Sequence, residues 1–298
     1  NMTAYKFKGL ENIDTSEVTT SEVEASYLAV QSKIREIENA YGQKTAAVKR
    51  PVFRRVIAWA AAAAALIMIP VGIHLYDSRK DAGMTAGLER STVNGEITEV
   101  VLPDGSKATL NAGSVLKYPE SFGRKRIVEL EGEALFEVTS SKSHPFTVRT
   151  QDISVTAHGT TFNVNAYPDG HSASTTLCSG AVSVERTSGR QKAELKPGDT
   201  YTLGRSSGAV VVTQTSPEDL TAWKNGHLCI ISQPVAEAFR MVARKFDVSI
   251  HLTTDAYDKA VLTAKFINGE SLEEVLTAVC HLVPGMVYTI EGKDIYIR

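Results

Sequence analysis

Cysteine is scarce in this chain. The three present, Cys178, Cys229 and Cys280, are far apart and odd in number, which excludes a disulfide framework and a CxxC metal site and leaves them to be read as small buried hydrophobes. A surplus of positive charge is lacking as well: 32 Lys and Arg stand against 34 Asp and Glu, for a formal net charge of -2. No run of basic residues interleaved with aromatics occurs, so the field that would hold a nucleic-acid backbone is missing. The spacings of common catalytic centres are missing too. There is no GxSxG, HExxH or P-loop, and His144, His158 and His171 are scattered without carboxylate or metal-ligand spacing. No cofactor and no metal is expected. With 43% hydrophobic and 22% charged residues in 298, what remains is an ordinary globular balance with room for two domains.

One stretch departs from that balance. From Val56 to Tyr76, inside "RRVIAWAAAAAALIMIPVGIHLYD", no residue carries a fixed charge. As an α-helix it would be about 31 Å long, close to the roughly 30 Å of a bilayer's hydrocarbon. Seven of these residues are Ala, so insertion is driven mainly by Trp59, Leu66, Ile67, Met68, Ile69 and the other large apolar side chains. A secretory signal would begin nearer the N-terminus, and a buried helix of a soluble protein seldom runs this long uncharged. A single transmembrane helix over 56–76 is therefore expected. Lys44, Lys49, Arg50, Arg54 and Arg55 crowd its N-terminal flank, which places residues 1–50 in the cytoplasm and the larger part outside.

Within the tail, 1–50, Ser21 and Glu24 form a capping box. After it Val23, Tyr27, Val30, Ile34, Ile37 and Tyr41 recur at helical spacing. A lone amphipathic helix cannot bury such a stripe, so membrane, a second copy or a cytoplasmic partner must cover it.

Beyond the span, residues 91–214 read as short β-branched runs separated by turns such as Pro103-Asp104-Gly105 and Pro197-Gly198-Asp199. They predict an all-β domain, a sandwich or rolled antiparallel sheet. Between two of its strands lies His158-Gly159-Thr160-Thr161. In a strained turn the Thr160 hydroxyl could attack the Gly159 carbonyl in an N-to-O acyl shift that ends in self-cleavage, with His158 shuttling the proton. The plainer reading is a β-bulge in which Gly159 admits a close backbone approach. Residues 223–298 then alternate strands and helices in the order βαββαββ. Ser232 is expected to cap the first helix, Ser271 with Glu274 to box the second, and "MVYTI" with "DIYIR" to close as a hairpin.

The succession "VVLPDGSKATLNAGSVLKYPESF", "RIVELEGEALFEVTSSKSHPFTVRTQDISVTAHGTTFNV", "LCSGAVSVE" and "LKPGDTYTL" resembles the FecR family of membrane-spanning anti-sigma factors. "SQPVAEAFRMVARKFDVSIHL" with "SLEEVLTAV" resembles that family's C-terminal module, itself similar to the short N-terminal domain of secretins and TonB-dependent receptors. The resemblance covers roughly 90–298. It implies a single-pass inner-membrane signal transducer with periplasmic C-terminal domains. It implies three kinds of partner: an extracytoplasmic-function sigma factor on the cytoplasmic side, the signalling domain of a TonB-dependent outer-membrane transporter in the periplasm, and membrane proteases. It also implies self-cleavage at a Gly-Thr bond, here Gly159-Thr160. The tail departs from the family pattern, being short and without tryptophan. A membrane-anchored periplasmic glycan- or envelope-binding protein is the alternative; it would need an aromatic platform, and Tyr118, Phe122, Tyr167 and Tyr201 form no cluster in the sequence.

Overall fold

Side chains of a strand point alternately to opposite faces, so a run such as Ile153, Val155, Ala157 commits one face to a core. The computed structural model describes residues 28–36, 87–189 and 192–298. The chain divides into two units, Asn1–Ile73 and His74–Arg298. In the first unit the described part is one helix, α1, over residues 28–36. The predicted span 56–76, together with Val23, Tyr27, Ile37 and Tyr41, lies outside the described residues. Among the described residues no helix is long and apolar enough to cross a membrane.

The second unit opens with thirteen strands in one bent sheet. In chain order these are β1 (Gly87–Ser91), β2 (Thr98–Val101), β3 (Lys107–Leu110), β4 (Val115–Pro119), β5 (Arg126–Glu137), β6 (Phe146–Arg149) and β7 (Ile153–Ala157). They continue as β8 (Thr161–Ala166), β9 (Ser172–Ser179), β10 (Val182–Arg186), β11 (Lys192–Leu195), β12 (Asp199–Gly204) and β13 (Val210–Gln214). Hydrogen bonding sorts them into two layers, β11-β10-β7-β6-β5-β4-β1 and β2-β3-β5-β8-β9-β12-β13, which share β5.

Gly132 is where β5 changes layer. Before it, Glu129, Leu130 and Glu131 pair with β4; from it onward, Gly132 to Glu137 pair with β8. Its φ of +102° suits glycine, and a Cβ there would stand 2.7 Å from the Ser114 Cα. The bend closes the layers over a core in which the Phe136 and Phe162 rings stack at 5.4 Å and Phe146 lies 5.9 Å from Phe136. Each such ring contributes about 1.5–3 kcal/mol by leaving water.

The domain is not wholly antiparallel as expected. β6 runs parallel to the first half of β5, with Arg126 opposite Phe146. The cause is the length of β5: after crossing into the second layer the chain must return through residues 138–145 to the strand's beginning. Buried Arg126 holds this return loop, donating to the Thr139 and His144 carbonyls at 2.9 Å each and pairing with Asp104 at 2.7 Å.

A short helix α2 (Pro217–Leu220) and a 3-10 turn (Ala222–Asn225) lead into the C-terminal module. Its order is β14 (Leu228–Pro234), α3 (Val235–Phe246), β15 (Ser249–Leu252), β16 (Val261–Phe266), α4 (Leu272–Leu282), β17 (Tyr288–Glu291) and β18 (Asp294–Ile297). β14 pairs with β16; β18 lies between β15, which is parallel to it, and β17, its hairpin partner. Phe239, Val242, Val275, Leu276, Val279 and Ile295 meet between helices and strands. Ser271 and Glu274 form both bonds of a capping box. Ser232 does not cap α3. It sits at φ 50° in a bulge of β14, its N–H donating to Thr263 Oγ1 at 3.0 Å, and α3 starts after Pro234. Proline at the boundary fixes φ without needing a donor, which explains the later start.

Candidate functional site

Three residues, His158, Gly159 and Thr160, join β7 to β8. Gly159 adopts φ +134°, and a Cβ there would lie 2.7 Å from the Ser140 Cα. The bend is thus pressed against the return loop that Arg126 holds. Two backbone bonds fix it there: Ser141 N–H donates to the His158 carbonyl at 3.0 Å and Val138 N–H to the Thr160 carbonyl at 2.9 Å. On the other side Gly180, at φ +89°, leaves space that a Cβ would close to 2.5 Å from Thr160 Cγ2. The pairing of β8 with β9 shifts register here, from Thr161 opposite Ser179 to Phe162 opposite Leu177, so that Cys178 bulges. Cys178 is accordingly only half-buried, unlike Cys229 and Cys280. Burial pushes the Cys280 thiol up to about 11.

Both readings of the tetrapeptide have a counterpart in this geometry. The close approach of Ser140 to Gly159 is what a glycine bulge is for. Yet Thr160 is 6% exposed and its Oγ1 has no hydrogen-bond partner among the described residues. Buried hydroxyls usually find an acceptor, whereas the Thr160 hydroxyl next to the Gly159 carbonyl has no competing bond among the described residues. What the bend lacks is a base in contact. His158 is exposed, and its ring does not bond Thr160 Oγ1. Lys107, Glu137 and Thr139 instead line the shallow depression above Thr160.

Of the predicted apolar stripe, Val30 and Ile34 lie within α1, 57% and 49% exposed, with Leu28 also exposed beside them. They share a helix face because they are four apart.

Sequence reasoning missed the joint between the β-domain and the C-terminal module. Arg244 of α3 lies over the Tyr167 ring, donates to Glu237 at 3.0 Å and reaches Asp169 at 3.5 Å. Arg240 bonds the other Glu237 oxygen at 2.9 Å. Burial alone would raise Glu237, but Arg244 and Arg240 outweigh it and hold the carboxyl below its ordinary value. Glu133 of β5 is buried; this pushes its carboxyl up, while Asn163 and Asn111 donate to it and pull the other way. The available signal was parity. In β5 Val128, Leu130, Ala134 and Phe136 point to the core, so Leu135 on the opposite face needed a second cover.

Comparison with known proteins bears on this arrangement. The model of the family described as "FecR protein" matches residues 89–183, and that described as "FecR, C-terminal" matches residues 228–297. Two crystal structures of a candidate anti-sigma factor from Parabacteroides distasonis ATCC 8503, at 1.65 Å and 2.50 Å resolution, superpose with a TM-score of 0.68 at 30% identity. Each match covers 71% of this chain and 98% of the crystallised one. No curated protein matches the chain.

Proposed function

The chain belongs to the FecR family of anti-sigma regulators, and on that premise we propose that its tail captures an extracytoplasmic-function sigma factor through the face of α1 that carries Val30 and Ile34. The observation that supports this reading is an apolar face left exposed on a helix, next to a polar flank that includes Ser32 and Arg35. The uncharged run 56–76 anchors the chain in the inner membrane as a single span, with the tail inside. The β-domain and C-terminal module lie in the periplasm, where they receive the signalling domain of a TonB-dependent transporter. The regulated output is transcription, through release or activation of the captured sigma factor.

Self-cleavage at Gly159-Thr160 belongs to the same reading. Thr160 Oγ1 adds to the Gly159 carbonyl carbon, the Gly159–Thr160 C–N bond breaks, and the proton lost from oxygen ends on the freed amine. Water then hydrolyses the ester to leave a Gly159 carboxylate and the restored Thr160 hydroxyl. This is one turnover on the chain itself, assisted by the left-handed φ that only glycine adopts freely at position 159 and by proton transfer through His158 or water once the bend opens. Membrane proteases would act after it.

Affinity capture from membranes, with the full chain as bait and candidate extracytoplasmic-function sigma factors of the same cell as prey, tests the central claim. Recovery of one sigma factor, dependent on Ile34, is expected. Recovery of none from the whole set would defeat it.

A further inference from the structure

A sheet face covered by a second module is ordinarily apolar, because polar groups lose water there. The outer face of β5, β8 and β9 breaks this rule. Positions pointing away from the phenylalanine core are Glu133, Asn163, Asn165, Ser174 and Thr176, paired across the strands as Glu133 with Asn165, Asn165 with Ser174 and Asn163 with Thr176. Trp223 of the 3-10 turn and Met241 and Arg244 of α3 face them across a cavity of about 210 Å³.

The carboxylates, Arg244 and Lys245 around this cavity are already engaged, and His227 also lines it. Glu133 accepts from Asn111 Nδ2 and Asn163 Nδ2, both at 2.8 Å. Glu237 is held by Arg240 and Arg244, Asp219 by Lys265 at 2.6 Å, and Lys245 donates to the Gly226 carbonyl at 2.5 Å. The buried side-chain atoms of this lining left without a partner among the described residues are uncharged: Asn163 Oδ1, on a residue 4% exposed, and the enclosed Trp223 Nε1–H. One accepts and the other donates. A hydroxyl group does both, and a ring bearing several hydroxyls would also meet Asn165, Ser174 and Thr176. Trp223 and Met241 offer apolar surface for the ring's C–H bonds. An ionic ligand would have to displace an existing ion pair, and the volume suits one ring rather than a chain.

We infer that this cleft binds a small neutral polyhydroxylated molecule of monosaccharide size, held between Asn163 of the β-domain and Trp223 at the start of the C-terminal module. The aromatic surface missing from residues 91–214 is thus supplied by the neighbouring module. Because the walls come from both sides of the joint, occupancy favours the closed arrangement over any in which the modules part. The site stands apart from the sigma-factor reading, and either can fail without the other.

Saturation-transfer NMR on the full-length chain in detergent micelles decides it, with glucose, galactose, mannose, xylose, fucose and N-acetylglucosamine offered singly and glutamate and spermidine as charged comparators. At least one sugar is expected to give a saturable signal and both comparators none. Asn163→Leu should weaken that sugar about tenfold or more, as loss of a buried hydrogen-bond partner does. Trp223→Phe keeps an aromatic wall while removing the Nε1–H donor with its five-membered ring, and an unchanged melting midpoint would show that its weaker binding does not reflect misfolding; Val211→Thr, on the exposed face of β13 and outside the cleft, should bind as the parent does. The inference is overturned if no sugar binds, if a charged comparator binds in preference, or if binding survives unchanged in both cleft variants.

Discussion

The guanidinium carbon of Arg244 lies 3.8 Å from the centre of the Tyr167 ring, so one side chain of α3 is stacked on the β-domain. The contact is reinforced on three sides. The Arg244 carbonyl accepts from Gly95 N–H at 2.7 Å, its guanidinium donates to Glu237, and the Tyr167 hydroxyl donates to the Ala112 carbonyl at 2.7 Å. A planar cation suits this stack better than an ammonium of equal charge. Arg244→Ala should therefore cost about 2–3 kcal/mol, since it removes the stack and leaves the half of Glu237 that faced it unpaired. Arg244→Lys should fall between. Guanidinium denaturation gives the loss, and faster trypsin cleavage in the connector 215–227 would place it at the joint.

Two enclosed carboxylates make stability respond to pH in opposite directions. Glu237, held below its ordinary 4.5, stabilises the fold above that pH and loses its contribution as pH falls through the lowered value. Glu133, pushed above 4.5, contributes fully below that pH and loses its contribution as pH rises through the raised value. Glu133→Gln carries no such charge. Its amide can be accommodated if Asn163 rotates to present Oδ1, the atom now without a partner. The variant should therefore gain on the parent as pH climbs from 5 toward 8, in melting midpoints measured side by side. A gap that narrows with rising pH would contradict the sign.

At the bend between β7 and β8, strain and reactivity can be separated. Gly159→Ala must place a Cβ against Ser140 at φ +134°, and a loss of about 2–4 kcal/mol is expected together with an intact chain. Thr160→Val replaces a buried hydroxyl that has no partner by a methyl of similar shape, so stability should be unchanged or slightly higher while cleavage disappears. Thr160→Ser keeps the oxygen and should keep cleaving. Immunoblots of chains tagged at both ends report this directly. Two fragments from Thr160→Val, or none from the parent, would remove the acyl-shift mechanism.

How much of this was written in the sequence depends on the range of the interaction. Period-two runs such as Val182 and Val184 mark a strand face, and Ser271 with Glu274 marks a helix start, because each is decided within a few residues. The parallel pairing of β6 was not legible, since it follows from Gly132 letting β5 serve both layers, and from Arg126 reaching residues 13 and 18 positions away. Ser232 misled because Ser before an apolar run looks like a cap, whereas the bulge opposite Thr263 had already claimed it. The joint was hidden for the same reason: Arg244 and Tyr167 are far apart in sequence, and only Leu135, an apolar side chain on the wrong face, hinted that the sheet was covered. His158, adjacent to Thr160 in sequence, points into solvent instead of to its neighbour's hydroxyl.

The exposed face of α1 gives the last test. Ile34 presents about half of its surface to solvent, and Val30 lies one turn before it. Were the face merely solvated, Ile34→Glu would be neutral or favourable, since it removes exposed apolar area and glutamate propagates a helix well. If instead the face docks on a sigma factor, a buried unpaired carboxylate should weaken binding by about 2 kcal/mol or more, roughly thirtyfold. Arg35→Glu, beside the stripe rather than on it, should cost less. Titrating each variant against the captured sigma factor, with helicity followed by circular dichroism, distinguishes a lost contact from a lost helix; equal affinity for Ile34→Glu and the parent would move the docking surface elsewhere in the tail.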